Sequence, residues 1–116
     1  MRVISQDGTI DVPYDYFSLS MSSGKYKDVE VAYIYCQNLS SPIGTKLAEY
    51  SAEAKAIKAM EMLREQYKAL EVLKILANGT AEHMEKSFNF DEFVKYNQAY
   101  RDMNVFQFPQ DDEIEV

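Results

Sequence analysis

The chain has 116 residues, 47% of them hydrophobic, 13% aromatic and 27% charged, with a formal net charge of −7. That is the size of one folding unit, and its apolar content excludes a disordered chain, which lacks the buried area to offset its ordering entropy. The acidic balance, with an isoelectric point near 4.6, argues against a protein built to grip phosphates.

Cys36 is the single cysteine, so no intramolecular disulfide or multi-cysteine zinc site can form, and a lone thiol suits a reducing compartment. No apolar run reaches the ~20 residues that span a bilayer. Met1-Arg2-Val3-Ile4 gives way at once to polar residues, which is not the pattern of a signal peptide. Asn38-Leu39-Ser40 and Asn78-Gly79-Thr80 therefore read as turn chemistry rather than glycosylation sites. The expected location is the cytoplasm, with no membrane association.

The first half alternates like a sheet. Arg2–Ser5 and Thr9–Val12 are short strands about a Gln6-Asp7-Gly8 turn, and Pro13 ends the second because it cannot donate to a ladder. From Tyr16 onward Phe17, Leu19 and Met21 face one way and Ser18, Ser20 and Ser22 the other, a half-buried strand. Ser22-Ser23-Gly24-Lys25 is the expected turn. Val29, Val31, Tyr33 and Tyr35 then share one face of a strand whose other face holds Ala32, Ile34 and Cys36, the mark of a central strand. A loop over Asn38–Gly44 and a strand over Thr45–Tyr50 complete the expected meander.

At Ser51, an expected N-cap, the period changes to that of a helix, with Glu53 complementing the helix dipole. Ala56, Met60, Leu63, Tyr67, Leu70 and Leu73 or Lys74 recur at spacings of four and three, and Asn78-Gly79 is the expected C-cap. A helix over 52–78 is ~40 Å long at 1.5 Å per residue. It overhangs a globule with a radius of gyration of about 13 Å, so it either breaks near Tyr67–Leu70 or covers its far end with a partner. Asn89 and Glu92 form a capping box flanked by a Phe88–Phe93 staple, opening a helix over Phe90–Met103. Thr80–Lys86 is expected as a short helix or turn. Val105–Phe108 is a last strand stopped by Pro109, and 110–116 is an acidic, frayed tail. Removing the tail's four carboxylates from the total of −7 leaves a body charge of −3.

Certain phrases resemble a known family. Met1–Tyr14, Ala48-Glu49-Tyr50-Ser51, Lys58–Arg64 and Phe106–Glu113 are similar to recurring segments of a family of small uncharacterised proteins of Gram-positive (Firmicutes) gut and oral bacteria and their prophages and mobile elements. About 70–104 resembles a variable helical insertion within that pattern. The resemblance implies a source and a context, and no catalytic motif comes with it.

The side chains that carry chemistry are few. His83, the only histidine, has Glu82 and Glu85 beside it, but a metal site needs a second histidine or a Cys-x-x-Cys that this chain lacks. Cys36, on an apolar strand, reads as a small buried hydrophobe rather than a nucleophile. Gly8, Gly24, Gly44 and Gly79 stand singly and form no phosphate-cradling loop. Tyr14, Tyr16, Tyr33 and Tyr35 would suit base stacking only beside a basic groove, and Lys25 with Lys27 is the sole basic cluster. The catalytic, cofactor and metal sets are therefore empty.

The expected fold is α+β: an antiparallel β-meander of about five strands packed on a long α-helix, with a helical insertion and a C-terminal strand. The domain spans 1–109, with the insertion at about 70–104. The expected function is a non-catalytic protein-binding or self-assembling module, a homo-oligomer that does not bind nucleic acid directly. Its interface residues are Leu70, Leu73, Ile75, Leu76, Phe88, Phe90, Phe93 and Tyr100, because one small sheet cannot shelter so many apolar helical side chains. Asp111, Asp112, Glu113, Ile114 and Val116 form a candidate linear ligand for strand addition. The alternatives are an acidic inhibitor or DNA mimic of a host nucleic-acid enzyme, and a small ligand-binding protein or enzyme with a pocket between sheet and helix.

Overall fold

A computed structural model describes the backbone of residues 1–86 and 90–116, and the side chains of 1–76, 91 and 94–116. The elements run β1 (Arg2–Ile4), β2 (Asp11–Pro13), β3 (Ser18–Tyr26), β4 (Val29–Asn38), β5 (Ser41–Tyr50), α1 (Glu53–Lys86), α2 (Phe90–Met103) and β6 (Val105–Gln107). Single 3-10 turns stand at Tyr14–Tyr16 and Asp111–Glu113. The class is α+β, with an antiparallel sheet on a long helix, a second helix and a C-terminal strand. The strands divide between two sheets, β2-β1-β6 and β3-β4-β5.

In the first sheet Val3 lies opposite Val12 on one side and, in parallel register, opposite Phe106 on the other. The β1–β2 turn is organised by Asp7. Its carboxylate accepts from the Ser5 hydroxyl at 2.7 Å, the Thr9 hydroxyl at 2.7 Å and the Thr9 amide at 3.0 Å. These donors, the Ser5 hydroxyl foremost, hold its pKa down to about 2. Gly8 supplies the positive φ of 78° that the turn requires. Arg2 and Asp11 form an ion pair across the hairpin.

In the second sheet β4 is central, as its two apolar faces require. Its inner side chains Ala32, Ile34 and Cys36 are buried, with Leu19 and Met21 of β3 and Ala48 and Tyr50 of β5 beside them. Two turns fall elsewhere than expected. Ser22–Lys25 continues β3, and the reversal is Lys27-Asp28, both with positive φ (50° and 63°), the two-residue turn whose twist matches paired strands. The expected loop over Asn38–Gly44 shrinks to Leu39-Ser40, because the Asn38 side chain accepts the Ser41 amide at 2.8 Å and β5 begins there.

Helix α1 starts two residues after Ser51, which is not its N-cap. Ser51 is engaged instead with Asp111, and the Glu53 amide is capped by the Glu30 carboxylate of β4 at 2.9 Å. Ala56, Ala59 and Leu63 form its buried stripe, in one core with Val3, Ile34, Tyr50, Phe106 and Phe108. The helix neither breaks near Tyr67–Leu70 nor stops at Asn78-Gly79; it runs unbroken to Lys86, so Thr80–Lys86 is its last part. At 34 residues it is about 51 Å long, and it gives the molecule extents of 64 × 34 × 21 Å and a radius of gyration of 17.7 Å. Helix α2 occupies the expected span and returns antiparallel along it. The Tyr96 hydroxyl donates to the Leu73 carbonyl at 3.4 Å, and the Gln66 side chain donates to the Met103 and Val105 carbonyls at 3.0 and 2.7 Å. The Asn89 cap with its Phe88–Phe93 staple, and the side chains of Ala77, His83 and Phe90, lie outside the described residues.

Gln6 joins the two sheets. Its amide donates to the Leu47 carbonyl and its side-chain oxygen accepts the Glu49 amide. Its side-chain nitrogen donates to the Pro109 carbonyl, and its own carbonyl accepts from Gln110.

Two outcomes follow. Leu63→Ala removes a fully buried side chain and is expected to cost about 2–5 kcal/mol in urea unfolding, whereas Met62→Ala, on the solvent side, stays within about 0.5 kcal/mol. Asp7 has a folded pKa below its ordinary 3.8, so its contribution to the turn is complete above pH ~4 and lost as pH falls toward 2. The protection of the Thr9 amide, its exchange rate relative to the intrinsic rate at the same pH, should fall over that window, and Asp7→Ala should abolish that fall.

Candidate interaction surfaces

The fully buried positions of α1, Ala56, Ala59, Leu63 and Leu70, are apolar, but its solvent side changes character along its length. Lys58, Glu61, Glu65 and Lys68 recur at helical spacing over the sheet-bound half, with Glu65 and Lys68 paired at 3.6 Å. Three or four residues on, the same stripe becomes Val72, Ile75 and Leu76, with Val72 55% and Ile75 70% exposed. The switch coincides with the point where α1 leaves the sheet. Val94 of α2 is also exposed.

This redraws the expected helical interface. Leu70 is fully buried within the chain and is unavailable to a partner, Leu73 and Tyr100 are half-buried, and Ile75 and Leu76 are exposed. Phe88 and the side chains of Phe90 and Phe93 lie outside the described residues. Val72, absent from the expected set, could have been found from the 3–4 spacing that carries the Lys58–Lys68 charges directly into it.

The second surface is the outer face of the β3-β4-β5 sheet. Tyr26, Val29, Val31, Tyr33 and Tyr35 line it, with the Tyr33 and Tyr35 rings 5.9 Å apart. Lys27 lies over the Tyr26 ring at 5.5 Å and Lys46 over Tyr33 at 5.6 Å. Glu49 stands opposite Tyr33 on the same face. Tyr26, Lys27, Val29, Val31, Tyr33 and Glu49 border a hollow of about 360 Å³. Tyr14 is absent from this face; it packs on Tyr67 of α1 with centroids 4.8 Å apart, tying the 3-10 turn to the helix. A wider open hollow of about 630 Å³ lies between Tyr16 and the Leu39 turn.

Chemical groups are sparse. Cys36 is buried, which pushes its thiol pKa up and leaves it a poor nucleophile. Among the described residues no three His, Cys, Asp or Glu side chains gather as metal ligands. The carboxylates are interleaved with cations: Asp11 with Arg2, Glu71 with Lys74 at 3.3 Å, and Asp111 with Lys55 at 3.1 Å.

The tail is docked rather than frayed. Asp111 accepts from the Ser51 amide at 2.7 Å and hydroxyl at 3.0 Å, and with Lys55 these hold its pKa below the usual range, the Ser51 amide foremost. The Glu113 carboxylate accepts the Gln110 amide at 2.8 Å. Ile114 is 5% exposed in the core, so it is not on offer to a partner groove; Asp112 and Val116 are exposed. The Tyr50 hydroxyl donates to the Pro109 carbonyl at 2.8 Å, and burial, then Asp111 and Glu113, push its pKa up. No helix among the described residues is long and apolar enough to cross a membrane.

Ile114→Ala is expected to destabilise the fold by about 2–4 kcal/mol in chemical unfolding, the cost of emptying a core position. A change under about 0.5 kcal/mol would mean that the tail is not part of the core.

Comparison with protein-family models, with curated proteins and with solved structures found no match to this chain.

Proposed function

We propose that this protein is a non-catalytic module that self-assembles through the projecting α1–α2 hairpin, of the kind a bacterial mobile element carries. The observation behind this reading is the apolar end of the solvent stripe of α1. Val72 and Ile75 stand more than half exposed on a helix that has already passed the sheet able to shelter it. A stripe that is charged where it lies over the sheet and apolar beyond it has the composition of a contact surface. A second copy of the hairpin is the simplest cover, since two matching helix faces pair about a two-fold axis. The mobile-element context rests on the resemblance of the terminal and helical segments alone.

Light scattering after size exclusion tests this. The wild-type chain should run as an oligomer, and Val72→Lys/Ile75→Lys should at least halve its molar mass without changing its circular dichroism. An unchanged mass, or a monomeric wild type, removes the reading.

A further inference from the structure

We draw no further inference here: the strongest candidate, the tyrosine-lined hollow on the outer face of the β3-β4-β5 sheet, carries nothing, because the charges around it, Lys27, Lys46 and Glu49, are of both signs and nothing in the structure shows what covers it.

Discussion

Two alanines one turn apart govern the architecture. Ala56 and Ala59, fully buried with Leu63 below them, let the α1 backbone approach the inner face of the β3-β4-β5 sheet closely enough to pack on Ala32, Ile34 and Tyr50. Larger side chains there would lift the helix off the sheet, and overpacking of this kind is itself destabilising. Because this seat is near the start of α1, the helix direction is set within its first three turns. Beyond Lys68 the helix is carried outward past the sheet.

The far half of α1 then depends on its own hairpin. Gln66, Leu73 and Tyr96 tie α2 back onto it through backbone carbonyls, and this return delivers β6 to the parallel side of β1. Both ends of the sequence thus meet at one place. Gln6 bonds at once to β5, to Pro109 and to Gln110, and Asp111 closes the start of α1 through Ser51 and Lys55. The acidic tail is spent on holding the core shut, which explains why a segment so rich in carboxylates is ordered.

Outward among the described residues are a projecting apolar helix face and a tyrosine-lined sheet face. Among the described residues no three His, Cys, Asp or Glu side chains gather as metal ligands, and Cys36 is buried. The common property of the two faces is the capacity to be covered.

Local pattern alone determined a good deal. The alternation of Val29–Cys36 identified a central strand, the 3–4 spacing from Ala56 to Leu70 identified the buried side of α1, and α2 and β6 were placed closely from Phe90, Met103 and Pro109. These succeed because side-chain periodicity and proline act within a few residues of themselves. Turns and caps were less readable: Lys27-Asp28 takes left-handed backbone without a glycine, and α1 is capped by Glu30 from 23 residues upstream rather than by Ser51. The division into two sheets, the docking of Ile114, the burial of Leu70 and the exposure of Val72 were decided only by tertiary structure. Each depends on which distant segment lies alongside, and pairing across a hundred residues, as between Gln6 and Pro109, leaves no trace in local spacing.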